Sequence, residues 1–320
     1  MTLFTPPIIS EKILVLDGIA RTGKMLVGPL AGELENVEWP QNLLTVDNIP
    51  SMGHILKSPK KETAAFLRLI VNASIYEFVV GRHLNTRVSD IYSIHRSLKW
   101  QELDGRRFGP EHDNALQPWL AKKRYASFIS HHQFPFWPIW LEAFPTARFL
   151  ITTRHPVDTC ASWMKKGWGE RFGSDPLDFT QTADFDGFAV PWFAETFSSK
   201  YIKAEPIDRT IFCVLSLMEL YDKTLQALPS EKKEMVHTVC FEEAANRPDY
   251  IFSKIASWLK TSLPSEWPVA KARERVPRIL SINERREKLD AISKTATKEY
   301  VADLFEASKR YEIKWDLESL

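Results

Sequence analysis

The chain has 320 residues, with 42 lysines and arginines against 41 aspartates and glutamates, so its formal net charge is +1. A protein that binds a nucleic-acid polymer usually carries a basic excess, because neutralised phosphates supply most of its affinity. The balance therefore predicts no such partner. The hydrophobic fraction of 44% and the length together indicate a folded protein with a sizeable core.

The first residues lack a basic segment followed by a long apolar stretch, and no apolar run is long enough to span a bilayer. We therefore expect a cytoplasmic protein without a membrane span. Cys160, Cys213 and Cys240 lie far apart, and the chain has no C-x-x-C pair. This arrangement predicts reduced thiols, with neither a zinc site nor a disulfide framework.

Predicted strands and helices alternate along most of the chain. Residues 12–18 (KILVLDG) form an apolar run that ends at glycine, which is typical of a buried parallel strand. Further strands are predicted at 125–130, 148–153 and 235–240. Helices are predicted at 25–34, 62–81, 138–144, 156–166, 210–228, 248–259 and 294–310. Residues 167–191, with four glycines, are predicted to be a long mobile loop.

This alternation predicts an α/β fold with a mainly parallel β-sheet flanked by helices. We expect a single domain that spans residues 1–320. A mostly helical region is expected to be inserted at about 55–123, and a helical C-terminal segment at about 260–320.

A glycine-containing loop follows the first predicted strand. Residues 18–24 (GIARTGK) fit the pattern G-x-x-x-x-G-K between a strand and a helix, which is the context of a phosphate-binding loop. Glycines let the backbone turn tightly, so that successive N–H groups and the helix N-terminus point at phosphate oxygens. Met25 follows Lys24, whereas ATP- and GTP-using proteins place a serine or threonine hydroxyl there for Mg²⁺. The loop therefore favours a phosphate ligand held without a metal.

A second anion-binding unit is predicted in the middle of the chain. The strand at 148–153 is followed by Arg154, and Pro156 begins a helix that carries Ser162. Ligands of open α/β sheets bind at the carboxyl ends of strands, and a guanidinium group suits forked recognition of phosphate. The turn from strand to helix predicts that Arg154 and Ser162 reach one anion.

Both segments resemble the sulfotransferases that use 3′-phosphoadenosine 5′-phosphosulfate (PAPS), which have a P-loop NTPase-like fold. Residues 21–24 (RTGK) are similar to the family's 5′-phosphosulfate loop, and residues 154–162 (RHPVDTCAS) match its 3′-phosphate motif, R-[DNH]-P-x-D-x-x-x-S. Residues 241–259 resemble a third family segment, in which F-E-E after a strand precedes a helix with proline at its start. The resemblance implies that the nucleotide is bound by Arg21, Thr22, Gly23, Lys24, Met25, Arg154 and Ser162.

The resemblance implies an enzyme that moves a sulfuryl group from PAPS to a hydroxyl or amine of a small-molecule or glycan acceptor. The product is adenosine 3′,5′-bisphosphate, no metal is expected, and Lys24 would stabilise charge on the bridging oxygen. A P-loop nucleotide kinase or NTPase remains an alternative, which residues 18–24 favour and Met25 disfavours. A nucleotide-binding protein without catalytic activity is the non-enzymatic alternative.

The sequence departs from the family pattern in three places, one of which is a distance from the first loop to the second strand that is much longer than in the compact cytosolic members. Lys24 stands where the family usually has threonine or serine, and the R-K-G motif near the C-terminus of cytosolic members is missing. The basic residues available to replace that motif are Arg275, Arg278, Arg285 and Arg286.

Sulfuryl transfer to a hydroxyl needs a base near the nucleophile. Many family members carry a histidine just after the strand that precedes the arginine strand, and His131 and His132 occupy that place. His132 is the first candidate because it lies 22 residues before Arg154, as in cytosolic members. His131 is the alternative, since one extra loop residue would exchange the two. Some members with carbohydrate acceptors use a glutamate after the first loop, so Glu33 and Glu35 are candidates as well.

Tryptophans flank the region where the family places its acceptor, namely Trp137, Trp140, Trp163, Trp168 and Trp192. Their faces are suited to stacking on sugars or aryl groups, and packing in the core is the alternative. The inserted region at about 55–123 is expected to cover the site.

Overall fold

The computed structural model describes residues 3–320. Its strands are β1 (Ile13–Gly18), β2 (Gln41–Asn42), β3 (Ala126–Ile129), β4 (Arg148–Thr153), β5 (Thr182–Phe185), β6 (Phe188–Pro191) and β7 (Val236–Cys240). Its α-helices are α1 (Lys24–Gly32), α2 (Leu44–Ile55), α3 (Lys60–Val79), α4 (Trp100–Gly105), α5 (Asp113–Ala121), α6 (Trp137–Ala143), α7 (Pro156–Met164), α8 (Ser198–Lys203), α9 (Pro206–Gln226), α10 (Phe241–Asn246), α11 (Pro248–Leu259), α12 (Trp267–Arg273), α13 (Ile282–Ser293) and α14 (Lys298–Trp315).

Five strands form a parallel sheet in the order β2-β3-β1-β4-β7. In its centre, Val15 of β1 pairs with Phe128 of β3 and with Phe149 of β4. Val15 packs into one core cluster, whereas Leu14 and Leu16 pack into another, because successive side chains of a strand point to opposite faces. Both faces of β1 are thus covered, and the predicted α/β fold with a mainly parallel sheet is confirmed.

Parallel pairing places the carboxyl ends of the strands at one edge of the sheet. Residues 18–24 follow β1 at this edge, residues 130–133 follow β3, Arg154 follows β4 and Phe241 follows β7. The topology therefore brings together segments that are far apart in the sequence, at the edge where open α/β sheets bind ligands.

The segment 167–191 contains structure that the prediction of a mobile loop missed. β5 and β6 form an antiparallel hairpin in which Phe185 pairs with Phe188. Asp186 and Gly187 connect the strands with φ angles of 53° and 85°, and such an Asp-Gly pair is a preferred two-residue hairpin turn. The loop prediction was wrong for residues 182–191, because it relied on glycine content and not on this turn signal.

Helix α2 was also missed by the sequence prediction. It contains Pro50 and Gly53, two residues with poor intrinsic helix propensity. Packing overrides propensity here, since Val46 and Ile49 of α2 are buried in the core. The helices predicted at 62–81 and 210–228 are confirmed as α3 and α9, with slightly shifted ends. No helix within residues 3–320 is long and apolar enough to cross a membrane.

Candidate functional site

A cavity of about 660 Å³ opens at the carboxyl edge of the sheet. One end is lined by the loop after β1 together with Arg154, Phe241 and Arg278. The other end is lined by the histidine pair, by residues of α2 and by aromatic residues from the segment after α7. We call these the cationic end and the aromatic end.

The loop after β1 has the backbone geometry of an anion-binding turn. Gly18 and Gly23 have φ angles of 140° and 112°, and Arg21 has a φ of 72°. A Cβ atom on Gly23 would lie 2.4 Å from a ring carbon of Phe241, so a side chain does not fit there. Among the side chains of residues 3–320, none caps the N-terminus of α1, which begins at Lys24. The first N–H groups of this helix therefore face the cavity without an intramolecular cap.

Of the residues predicted to bind the nucleotide, five line the cavity: Arg21, Gly23, Lys24, Met25 and Arg154. The remaining two, Thr22 of the loop itself and Ser162 of α7, do not line the cavity and form hydrogen bonds that hold the loop. The hydroxyl of Thr22 donates to the carbonyl of Ile19 at 2.6 Å and lies 2.9 Å from the hydroxyl of Thr152. The hydroxyl of Ser162 accepts a hydrogen bond of 2.8 Å from Nε of Arg21.

The ammonium group of Lys24 is buried beneath the loop. Its Nζ donates to the carbonyl oxygens of Gly18 and Ile19 at 2.8 and 2.9 Å. Burial lowers the pKa of Lys24 to about 8, and the nearby carboxylates of Asp17 and Asp47 limit the shift. Lys24 is consequently protonated below pH 8 and loses its charge above it.

Three guanidinium groups converge on the cationic end. Nη1 of Arg154 donates to the carbonyl of Arg21 at 3.3 Å. The ring of Phe241 lies 4.7 Å from the guanidinium carbon of Arg154 and 5.7 Å from that of Arg278. Within residues 3–320, none of these three arginines forms a salt bridge, and Nε of Arg154 is buried without a hydrogen-bond partner. This end of the cavity thus carries positive charge that no carboxylate pairs with directly.

Arg278 is the only one of the four C-terminal arginines considered that lines the cavity. Arg285 instead forms a buried ion pair with Asp158 at 3.0 Å and approaches Glu242 at 3.7 Å. Arg286 donates to the backbone carbonyl of Ser319 at 3.5 Å. Of these four arginines, Arg278 is thus the one that is placed to contact a ligand in the cavity.

The aromatic end contains a histidine that is held by a carboxylate. The backbone N–H of His131 donates to Oδ1 of Asp47 at 3.1 Å, and Nδ1 of His131 lies 2.9 Å from Oδ2 of the same residue. Burial raises the pKa of Asp47, and burial next to Lys24 lowers the pKa of His131. The imidazole of His131 is therefore neutral near pH 7, and the same lowered pKa makes it a weak base.

His132 has a different environment. Its Nε2 lies 3.4 Å from the backbone N–H of Ala20, which donates to it, and its ring stacks on Phe193 with the centroids 5.4 Å apart. Nδ1 of His132 is buried and has no hydrogen-bond partner within residues 3–320. No carboxylate orients this ring, and the nitrogen nearest the loop is already used as an acceptor.

Asp17, at the end of β1, fixes the turn that carries both histidines. Its carboxylate accepts hydrogen bonds from the hydroxyls of Ser130 and Tyr221 at 2.9 and 2.7 Å. It also accepts from the backbone N–H groups of Gln133 and Phe134. Four donors thus stabilise this buried charge, and they hold residues 130–134 against β1.

Glu33 and Glu35 lie outside the cavity lining. The carboxylate of Glu33 accepts from the backbone N–H of Leu98 at 3.0 Å and from Nη1 of Arg273 at 2.6 Å. Glu33 therefore stabilises the packing of α12 at the far end of α1, where no acceptor bound in the cavity would contact it.

Trp163, Trp168 and Trp192 line the cavity, as expected from the sequence, together with Phe172. Trp140 is fully buried in the core, and Trp137 packs partly against that core. Neither tryptophan lines the cavity, and the ring of Trp140 packs against Phe149 of β4 instead. From the inserted region, Ile91 and Tyr92 reach the cavity.

One face of α2 connects the base candidate to the chain segment that covers the aromatic end. Asp47, Ser51 and His54 are spaced so that they lie on this face. The hydroxyl of Ser51 donates to Oε1 of Gln181 at 2.5 Å, and Nε2 of His54 lies 3.1 Å from Oε2 of Glu195. Sequence reasoning missed Asp47, and its only signal was an acidic residue that follows an apolar stretch.

No protein-family model matches the chain, and no curated protein is similar to it. Five of the solved structures that match are sulfotransferases. The sulfotransferase domain from the curacin biosynthetic pathway is 10% identical, with a TM-score of 0.47 over 97% of this chain and 99% of that one. A sulfotransferase from Mycobacterium avium is 15% identical, with a TM-score of 0.45 over 98% of this chain and 79% of that one. One from Alicyclobacillus acidocaldarius is 15% identical, with a TM-score of 0.43 over 96% of both chains. Identities this low leave the activity open.

Proposed function

We propose that the protein transfers a sulfuryl group from PAPS to a hydroxyl group of a small acceptor. The observation that carries the proposal is the division of one cavity into two chemically different ends. Arginines without carboxylate partners lie at one end, and a neutral histidine held by Asp47 lies at the other. An anionic donor suits the first end, and a hydroxyl that must lose a proton suits the second.

The cationic end fits an anionic nucleotide because its donors are unused. A buried donor without a partner, such as Nε of Arg154, costs about 1–3 kcal/mol, and a bound phosphate would remove that cost. Arg154 and the hydroxyl proton of Ser162 would bind the 3′-phosphate. Arg21, Arg278 and the N–H groups of residues 23–25 would bind the remaining phosphate and sulfate oxygens.

His131 is the better supported of the two base candidates. PAPS, when bound, supplies the sulfuryl group, whose S–O bond to the 5′-phosphate breaks as the acceptor oxygen bonds to sulfur. Nε2 of His131 would take the proton from that oxygen, while Asp47 keeps the ring in place through Nδ1. His132 would support the loop through the backbone N–H of Ala20.

Lys24 keeps its predicted role as an electrostatic group. Its Nζ uses two of its three protons on loop carbonyls, which leaves one for a ligand oxygen. A protonated Lys24 next to the N-terminus of α1 would stabilise negative charge that develops on the leaving phosphate.

Thermal unfolding with two nucleotides tests the proposal. Adenosine 3′,5′-bisphosphate at 100 times its Kd should add about 2.7 kcal/mol of stability. ATP with Mg²⁺ should add much less, because Met25 offers no hydroxyl for the metal. Stabilisation by ATP with Mg²⁺ and none by the bisphosphate would refute the proposed function and favour a kinase or NTPase.

A further inference from the structure

Four exposed large apolar side chains line the cavity, and we call them the apolar rim. They are Met25, Leu44, Leu177 and Phe179, which are 51%, 39%, 72% and 54% exposed. They come from α1, α2 and the segment after α7, so the rim is assembled by the fold and not by one stretch of sequence. Exposed apolar side chains that line a cavity mark a place where a ligand or partner covers them.

Several polar side chains near the rim are already bonded within the protein. Ser51 donates to Gln181, and Nε2 of Gln133 donates to the backbone carbonyl of Asp47 at 2.8 Å. The carboxylate of Asp178 accepts from the backbone N–H of Thr180 at 2.9 Å. The hydroxyl proton of Ser51 and both amide protons of Gln133 are therefore used within the protein, whereas Oε1 of Gln133 has no partner within residues 3–320. A polyol would have to break internal bonds to reach these donors.

From these features we infer that the acceptor is a hydroxyl compound with an apolar body, which extends from His131 across the aromatic end to the apolar rim. The inference rests on the proposed function for the identity of the reacting group. Trp168, Phe172 and Trp192 supply the walls, and the rim supplies contacts for the part of the acceptor that leaves the cavity.

The apolar body has two possible sources, an alkyl chain or an aryl ring. The lowered pKa of His131 makes it a weak base, and a phenol gives up its proton more readily than an aliphatic alcohol. Acceptors of both kinds require an apolar contact at the rim. Comparing 1-decanol, which has an alkyl chain, with 4-hexylphenol, which has an aryl ring, shows which kind the protein prefers.

Binding is measured by tryptophan fluorescence in the presence of adenosine 3′,5′-bisphosphate, because Trp168 and Trp192 line the cavity. We expect 4-hexylphenol or 1-decanol to bind, with affinity that rises about two- to fourfold for each methylene added to a series of shorter homologues. Methyl β-glucoside should not bind. Phe179→Ser should weaken binding about tenfold, and turnover with PAPS should follow the same order.

Phe188→Ser is the matched control, because Phe188 is also 54% exposed but does not line the cavity. Equal loss of affinity in Phe179→Ser and Phe188→Ser, or sulfation of the glucoside in preference to the alcohols, would overturn the inference. The latter result would leave the proposed function intact. If the bisphosphate fails to stabilise the protein, the proposed function fails, and rim-dependent binding of 4-hexylphenol would still support an apolar ligand.

Discussion

The two ends of the cavity differ in how the sequence encodes them. The cationic end depends on short segments at strand ends, namely residues 18–25 and Arg154, in which backbone geometry and residue type together create the site. The aromatic end combines α2, residues 131–133 and the segment 163–192, and the contacts between them have no signal in the sequence, although its histidines and tryptophans do. An anion-binding loop can thus be recognised in a short stretch of sequence. The surroundings of an acceptor hydroxyl group depend instead on how distant segments pack.

Removing the base at the aromatic end is expected to have the largest effect. His131→Ala should lower kcat by about 10²–10⁴-fold, because general base catalysis contributes that much. Binding of adenosine 3′,5′-bisphosphate should stay normal, since the cationic end is unchanged. Calorimetry measures nucleotide binding at the cationic end, and single-turnover kinetics measure the chemical step at the aromatic end, so the two effects can be told apart.

His132→Asn is the matched control for this change. Asparagine tolerates the positive φ of 60° at position 132 better than most residues. We expect turnover within about tenfold of the unchanged protein. If His132→Asn abolishes turnover and His131→Ala does not, the roles assigned to the two histidines are reversed.

A change at the cationic end should act mainly on affinity. Arg154→Ala should weaken bisphosphate binding about 10–100-fold, because a hydrogen bond to a charged group contributes about 1.5–3 kcal/mol. Arg286→Ala, which removes an exposed arginine outside the cavity, serves as the control. An unchanged Kd for Arg154→Ala, measured by isothermal titration, would contradict the assignment of the 3′-phosphate site.

Asp47→Asn tests the orientation of the base and should have a smaller effect. The amide keeps the size of the side chain but offers a weaker partner to Nδ1 of His131, so we expect kcat to fall about tenfold with little change in KM. A rise in KM at constant kcat would mean that Asp47 contacts the acceptor and does not act through His131.

The smallest expected effect is on the pH dependence of nucleotide binding. The pKa of Lys24 is lowered to about 8, so raising the pH from 7 to 9 removes a positive charge that an anionic ligand would favour. Bisphosphate affinity should therefore fall about three- to tenfold over this interval. Lys24→Arg, which stays charged, should show a flat profile, and a flat profile in the unchanged protein would refute the role of Lys24.

Much of the fold followed from the sequence, because apolar runs that end at Gly18 and Arg154 mark buried parallel strands. The order of the strands in the sheet could not be predicted from the sequence, because hydrophobic periodicity carries no information about which strands pair. Residues 18–25 and Arg154 of the cationic end could also be predicted, because glycines and arginines at strand ends indicate anion binding within a short stretch of sequence. That Arg278 lines the cavity, and the other three arginines do not, could be seen only in the structure, because its place beside Phe241 depends on packing between distant segments.

The aromatic end was only partly predictable. The histidine pair was placed correctly at the end of β3. The carboxylate that distinguishes His131 from His132 comes from α2, and this helix was not predicted because Pro50 and Gly53 have low helix propensity. Trp140 and Trp163 illustrate the same limit. Both are large aromatic residues buried in the same core cluster, yet of the two only Trp163 also lines the cavity.

The face of α2 that holds Asp47 and Ser51 has a consequence for side reactions. A transferase whose base is oriented in an open cavity would activate water and hydrolyse its donor. Here the segment that covers the cavity and the carboxylate that orients His131 are anchored to the same helix face. A displacement that admits water should therefore also loosen the base. Release of sulfate from PAPS without an acceptor should accordingly stay low, even in a Gln181→Ala variant.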